Sequence, residues 1–114
     1  TKIFPDLEGN IGGCGIRVPV PNGSLIDISV ILKEDTTVEA INKAFKEASE
    51  TYLKGILEYT EDPIVSIDIV GNPYSCIFDS KLTSITGHMV KLVGWYDNEM
   101  GYSHRLAELV LKVG

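Results

Sequence analysis

A cluster of polar and aromatic residues at positions 95–103 is the most distinctive feature of the chain. Within it, Asn98 carries both an amide donor and a carbonyl acceptor, so its side chain can pair with another carboxamide. Tyr102 offers an aromatic face against which a flat ring can lie. The alternative role for Asn98 is a helix N-cap, which Asp97 can fill equally well. Taken alone, the residue types favour the cap.

Arg17 is the first residue of a second stretch that could bind a ligand, Arg-Val-Pro-Val-Pro-Asn at 17–22. Its guanidinium is a planar, permanently charged fork that suits a phosphate or a carboxylate. Pro19 and Pro21 fix φ and stiffen the backbone directly after it. A surface or interface salt bridge is the competing explanation, and the stretch alone favours it.

Other residue types that carry catalysis or bind metals are sparse. His88 and His104 have neither metal-ligand nor triad spacing, and we expect both to be structural or solvent-facing. Cys14 and Cys76 lack the Cys-x-x-Cys spacing of a zinc site, and no histidine follows either closely enough to indicate a nucleophile. We therefore predict two reduced, buried thiols, no catalytic residue and no metal site.

The composition narrows the possible partners. The net charge is −6, without a cluster of Lys or Arg, which argues against nucleic acid and anionic membranes. No apolar run reaches the length of about 18 residues that spans a bilayer. These features predict a soluble, cytoplasmic protein. The chain starts at Thr1 without a methionine, and residues 1–5 resemble the end of an amphipathic helix, which favours a piece of a longer protein.

The elements that must position these residues can be read from periodicity. Apolar residues alternate from Leu25, which predicts a half-buried strand. Residues 89–96 predict a second strand, which should be central because it is apolar on both faces. Spacings of three and four predict helices over 38–52 and 102–113, with Thr36 and Glu39 as a capping box for the first. The first helix is expected to bury Val38, Ile41, Phe45, Ala48 and Tyr52. The second is expected to bury Tyr102, Leu106, Leu109 and Val113 and to expose Arg105, Glu108 and Lys112.

Between the helices, turn residues at 62–63, 71–73 and 79–80 separate β-branched runs at 64–65 and 67–70, which predicts further strands. We expect an α+β fold with a mixed, mainly antiparallel sheet and the helices packed on one face. A glycine-rich loop at 9–15 does not complete a dinucleotide fingerprint, because Val18 stands where the last glycine belongs.

Four blocks of the chain resemble the glyceraldehyde-3-phosphate dehydrogenase family in order and spacing. They are Arg-Val-Pro-Val-Pro-Asn at 17–22, Leu-Lys-Gly-Ile-Leu-Glu-Tyr-Thr-Glu-Asp at 53–62, Ile-Phe-Asp at 77–79, and Trp-Tyr-Asp-Asn-Glu-Met-Gly-Tyr-Ser at 95–103. The resemblance covers nearly all of residues 1–114. It implies the C-terminal part of the family's catalytic domain, with the N-terminal Rossmann domain absent.

The resemblance also implies a function and three roles. The family oxidises an aldehyde phosphate with NAD in glycolysis, through a thioester that inorganic phosphate releases as an acyl phosphate, and it forms homotetramers. By this resemblance Arg17 binds phosphate, Asn98 holds the nicotinamide carboxamide, and Tyr102 packs against the nicotinamide ring. The family's Ser-Cys-Thr-Thr-Asn nucleophile motif and its catalytic histidine do not occur here, so the chain alone is expected to be inactive.

Two alternatives remain open on the sequence. One is a stand-alone α+β module that binds an anion or associates with itself without catalysis. The other is an erythrose-4-phosphate dehydrogenase-like enzyme, against which Tyr96 and Tyr102 weigh. NAD and NADP are not distinguished, because the residue that reads the ribose lies in the Rossmann domain.

Overall fold

The computed structural model describes residues 2–114, and in that range it has the predicted α+β class. Five strands form one sheet: β1 Ser24–Ile31, β2 Leu57–Thr60, β3 Cys76–Asp79, β4 Ser84–Thr86 and β5 Met89–Tyr96. The helices are α1 Val38–Glu50 and α2 Met100–Val113, with short 3-10 turns at Pro5–Leu7 and Ser80–Leu82.

The sheet is mixed and mainly antiparallel, as predicted. Its order is β1-β5-β3-β2, and β4 also pairs with β5. β5 runs antiparallel to β1, β3 and β4, whereas β2 and β3 are parallel. Val90 and Val93 lie on opposite faces of β5 and both are buried. The prediction of a central strand at 89–96 is therefore confirmed.

The core lies between α1 and the sheet. Ala48 of α1 packs against Leu57 of β2 and Phe78 of β3, with other apolar side chains around them. The rings of Phe45 and Phe78 stack with centroids 3.9 Å apart. The two rings are nearly parallel, with an interplanar angle of 3°, and contribute to the buried apolar surface. This packing fixes α1 on the sheet.

Gly94 allows β1, β3 and β5 to come close together. A Cβ at this position would lie 2.5 Å from Sγ of Cys76 and 3.4 Å from Cγ2 of Ile26. Neither side chain has a long flexible end that can move aside. Glycine is therefore required where β5 crosses its two neighbours, just before the strand reaches the 95–103 cluster.

The strands predicted at 64–65 and 67–70 are wrong, because this region forms turns instead. Asp68 is the reason, since its carboxylate accepts the N–H of Val65 at 2.8 Å while its own N–H donates to the Val65 carbonyl at 2.9 Å. These local bonds use backbone groups that a strand would need. Ile69 alone in this run is fully buried.

The ends of α1 also differ from the prediction. Thr37, not Thr36, is the N-cap, and its hydroxyl accepts the N–H of Ala40 at 3.2 Å. The helix ends at Glu50, so Tyr52 leaves the predicted face and is 79% exposed. The buried face is correctly placed at Ala48, but it is shorter than the periodicity indicates.

The buried face predicted for α2 is wrong, whereas Glu108 and Lys112 are exposed as predicted. Tyr102, Leu106, Leu109 and Val113 are all exposed. Arg105, which was expected to be exposed, is partly buried instead. Gly101, in the first turn, is the residue of α2 that is buried. Within residues 2–114, the helix touches the rest of the chain through its first turns and leaves its apolar stripe uncovered.

The predicted helix end at residues 1–5 is not observed where the structure describes it. Thr1 lies outside the described residues, and residues 2–4 are not helical. A single 3-10 turn follows at Pro5–Leu7. Pro5 explains this, because a proline disfavours helical backbone in the residue before it.

Candidate functional site

The junction between β5 and α2 is organised by the side chain of Asp97, which is 3% exposed. Its Oδ1 accepts the backbone N–H groups of Glu99 at 2.8 Å and Met100 at 3.0 Å. Its Oδ2 accepts the backbone N–H of Gly71 at 2.8 Å and the side-chain amide of Asn22 at 3.1 Å. One carboxylate therefore caps the start of α2 and joins it to two distant loops.

These donors keep Asp97 ionised. The N–H of Gly71, followed by those of Met100 and Glu99, lowers the pKa of the Asp97 carboxyl from 3.8 to about 2, against an opposing effect of burial. The amide of Asn22 adds a smaller lowering. Hydrogen bonds to the charged form of a carboxylate favour that form. At neutral pH the junction therefore contains a fixed negative charge.

Because Asp97 provides the cap, the side chain of Asn98 is not needed for it. Asn98 is exposed, and its carbonyl oxygen accepts one long bond from the Ser24 hydroxyl at 3.4 Å. Its amide nitrogen has no hydrogen-bond partner within residues 2–114. The sequence left the cap open between Asp97 and Asn98. The N-cap position is Glu99, and of the two candidates it is the Asp97 side chain that bonds the N–H groups at the start of the helix. The Asn98 carboxamide is consequently available to a ligand.

Tyr102 lies on the same cleft as Asn98. Its side chain is 70% exposed and sits on the first turn of α2. The cleft is open, with a volume of about 250 Å³, and its lining residues are Ser75, Tyr96, Asp97, Asn98, Gly101, Tyr102 and Arg105. The two residues predicted to contact a nicotinamide are thus brought together.

Gly101 and Arg105 hold the first turns of α2 against the loop before β3. A Cβ at Gly101 would lie 2.7 Å from the Tyr74 carbonyl oxygen, so the helix backbone approaches that loop directly. Nη1 of Arg105 donates to the Gly55 carbonyl at 3.1 Å and to the Ser75 hydroxyl at 3.3 Å. Sequence reasoning missed this role of Arg105. The available signal was its spacing of four residues from Gly101, which places both on one helix face.

Arg17 is not part of the cleft. It is exposed, and within the described residues it makes no hydrogen bond or ion pair. Five residues later, however, the Asn22 amide donates to Asp97. The stretch that carries Arg17 is therefore attached to the junction at its far end, although Arg17 itself does not reach Asn98 or Tyr102.

The cysteines and histidines offer no alternative centre. Cys14 is exposed, which corrects the prediction that it is buried: a Cβ added at Gly13 or Gly15, on either side of it, would meet no atom within 4 Å. Cys76 is half-buried, and burial raises the pKa of its thiol. His88 and His104 are exposed, as expected. Across residues 2–114 no group of three or more His, Cys, Asp or Glu side chains is arranged to hold a metal ion.

A search of residues 2–114 for a membrane-crossing helix finds none of sufficient length and apolarity.

Comparison with known proteins agrees with the four sequence blocks. The family model for the glyceraldehyde 3-phosphate dehydrogenase C-terminal domain matches residues 1–98. Glyceraldehyde-3-phosphate dehydrogenase 1 of Streptomyces avermitilis is 51% identical over 112 residues, which cover 98% of this chain and 34% of the relative. The glyceraldehyde-3-phosphate dehydrogenase of Mycobacterium avium is 53% identical, with 98% of this chain and 33% of the relative covered.

The Mycobacterium tuberculosis enzyme of the same name is 52% identical over the same shares of the two chains. This chain thus spans about a third of the length of the curated relatives it matches. The family match ends at Asn98, so Tyr102 lies beyond it while the relatives' alignments cover nearly the whole chain. The resemblance predicted from the motifs is confirmed: the chain belongs to the glyceraldehyde-3-phosphate dehydrogenase family.

Proposed function

We propose that this chain forms the nicotinamide and phosphate side of the active site in an NAD-dependent, phosphorylating glyceraldehyde-3-phosphate dehydrogenase. The observation that carries the proposal is that Asp97 and Asn98 have different roles at the junction. Asp97 caps α2, which leaves the Asn98 carboxamide exposed beside the exposed ring of Tyr102. A buried helix cap would have no such free amide.

The residues present fit a nicotinamide. Asn98 has a donor and an acceptor for the carboxamide group, and Tyr102 has an uncovered face for the ring. NAD held by Asn98 and Tyr102 would supply the hydride acceptor for the oxidation. The role of this chain is to orient the ring and to hold Asp97 as a fixed anion behind Asn98. Arg17 binds the phosphate that releases the acyl group, because its fork matches phosphate oxygens and is free of competing carboxylates.

The nucleophile and the base come from sequence other than these 114 residues. Cys14 lies exposed, without a hydrogen-bond or ion-pair partner in the part of the chain that the structure describes. In Cys76, burial raises the pKa and disfavours the thiolate. The chain alone is therefore inactive, and the complete protein acts in glycolysis as a cytoplasmic homotetramer with its own Rossmann domain. NADH formation by the purified 114-residue chain would contradict this.

The nicotinamide contact is tested by Asn98→Ala in the complete dehydrogenase, with Ser103→Ala as the matched control. Ser103 neighbours Tyr102 on α2, but its hydroxyl donates to the Glu99 carbonyl and it does not line the cleft. A lost hydrogen bond is worth about 0.5–1.5 kcal/mol, so KM for NAD should rise about threefold to tenfold in Asn98→Ala alone. Equal KM values for NAD in both variants would refute the contact.

The phosphate contact is tested by Arg17→Ala against Lys33→Ala. Lys33 is exposed and makes no ion pair within the described residues, so its variant removes one positive charge without touching the proposed site. Hydrogen bonds to charged groups are worth about 1.5–3 kcal/mol, which predicts a rise of about tenfold or more in KM for phosphate. The measurement is steady-state turnover as a function of phosphate. An unchanged phosphate dependence in Arg17→Ala contradicts the assignment.

A further inference from the structure

Asp97 joins two stretches that are far apart in sequence and that the proposed function places in one active site. We call residues 17–22 the anion segment and residues 97–102 the junction segment. The contact between them is the bond from the Asn22 amide to Oδ2 of Asp97, across 75 positions of sequence. Oδ1 of this carboxylate bonds to the junction segment, and Oδ2 bonds to the anion segment.

On the junction side, Oδ1 fixes the backbone around Asn98. The oxygen accepts from Glu99 and Met100, the two residues that directly follow Asn98. Asn98 is therefore held between a buried side chain before it and two bonded N–H groups after it. The Gly101 backbone, in close approach to Tyr74, extends this fixed arrangement to Tyr102. Any displacement of Asp97 must move the Asn98 carboxamide and the Tyr102 ring.

On the other side, Oδ2 fixes the end of the anion segment. The Asn22 side chain has a defined orientation, because its oxygen accepts the Gly23 N–H at 2.8 Å while its amide donates to Asp97. Gly23 has φ +91°, and a Cβ there would lie 2.8 Å from the Ser66 carbonyl oxygen. The chain is therefore pinned just behind Asn22. Pro19 and Pro21 stiffen the path from Asn22 back to Arg17.

We propose that Asp97 is a positioning residue that holds the phosphate-binding and nicotinamide-binding segments in one arrangement, each through a different carboxylate oxygen. This proposal rests on the function proposed above for Arg17, Asn98 and Tyr102. It adds that the two binding steps depend on a residue whose carboxylate oxygens bond to the protein and not to a ligand.

The test is Asp97→Asn in the complete dehydrogenase. The amide oxygen can still cap α2, but the new NH2 group faces the Gly71 N–H and the Asn22 amide, which are also donors. The link is broken while the cap is kept. KM values for NAD and for phosphate should both rise about threefold to tenfold, whereas kcat at saturation of both changes less.

Asp79→Asn is the matched control for lost stability. Asp79 is also 3% exposed, caps a short helix through the Lys81 N–H, and accepts the Trp95 indole N–H at 3.0 Å. Its variant should lower the melting temperature without changing either KM. If Asp97→Asn changes neither KM, or changes both no more than Asp79→Asn does, the positioning role is wrong.

Asn22→Ala decides the same point if Asp97→Asn does not fold. This variant leaves the cap intact and removes the link from the other side. KM for phosphate should rise more than KM for NAD, and no change in phosphate KM would overturn the proposal. Failure of the proposed function gives a different result from failure of the positioning role. In that case Arg17→Ala would leave KM for phosphate unchanged, and Asn98→Ala would leave KM for NAD unchanged.

Discussion

Acid should weaken this fold through Asp97, and Asp97→Asn should remove that sensitivity. The folded state lowers the pKa of this carboxyl from 3.8 to about 2 through three backbone N–H groups and the Asn22 amide. Because the folded chain then binds fewer protons than the unfolded chain, the stabilisation is complete above about pH 5. It is lost progressively as the pH falls through the folded pKa of about 2, below which both states are protonated.

The size of the effect follows from the same pKa. A tenfold change in acid dissociation is worth about 1.4 kcal/mol, so lowering the pKa from 3.8 to about 2 corresponds to about 2.5 kcal/mol at full strength. The carboxylate lines an open cleft, and solvent screening there reduces the expected contribution to about 1–2 kcal/mol. Other carboxyl groups titrate in the wild-type chain and in the variant alike. They therefore cancel when the two proteins are compared at each pH.

The assay is urea unfolding of both proteins at pH 6, 4, 3 and 2, followed by the fluorescence of Trp95, the single tryptophan of the chain. At pH 6 the wild type should be the more stable protein. In the variant, the NH2 group of the new asparagine lies against the Gly71 N–H and the Asn22 amide, which are hydrogen-bond donors as well. The difference in free energy of unfolding should narrow by about 1–2 kcal/mol between pH 6 and pH 2. A difference that stays constant over this range would show that the hydrogen bonds do not depend on the charge of Asp97.

Two further predictions concern the core and the uncovered apolar surface. Phe78→Ala removes a ring that is buried and stacked on Phe45, and it should lower the free energy of unfolding by about 3–5 kcal/mol in urea titration. The control is Phe4→Ala, because Phe4 is exposed. Equal effects of the two substitutions would show that the core lies elsewhere. The 114-residue chain should self-associate, because Ile26, Ile28 and the apolar stripe of α2 are exposed. The molar mass can be measured by light scattering after gel filtration. A mass of 12.5 kDa, that of the monomer, at every protein concentration would refute the prediction.

The elements that the sequence located correctly are those with long periodic patterns. β1, β5, α1 and α2 each run for eight residues or more, so several apolar positions agree on one period. The four-residue strands β2 and β3 offer too few positions for alternation to be recognised. The β-branched run at 67–70 has strand propensity, but hydrogen bonds of Asp68 close a turn there instead. Local propensity was overridden by a side chain within the same run.

The candidate site was predictable in its residues but not in its organisation. Asp97 and Asn98 are both good N-cap types, and nothing local decides between them. The decision comes from Gly71 and Asn22, which donate to Asp97 from 26 and 75 positions away. Distant donors of this kind leave no signal in a local window. The free carboxamide of Asn98, on which the proposed function depends, is thus a consequence of the tertiary structure.

The exposure of the apolar face of α2, which was predicted to be buried, shows what periodicity measures. The stripe of Leu106, Leu109 and Val113 does share one helix face, as the spacing predicts. Periodicity identifies residues that share a face, but it does not identify the surface that covers them. Here the chain contacts α2 through Gly101 and Arg105, in its N-terminal half, and the stripe beyond them stays exposed. The apolar stripe of α2 is therefore uncovered within residues 2–114, and Tyr102 on the same helix is held in place by the Gly101 and Arg105 contacts.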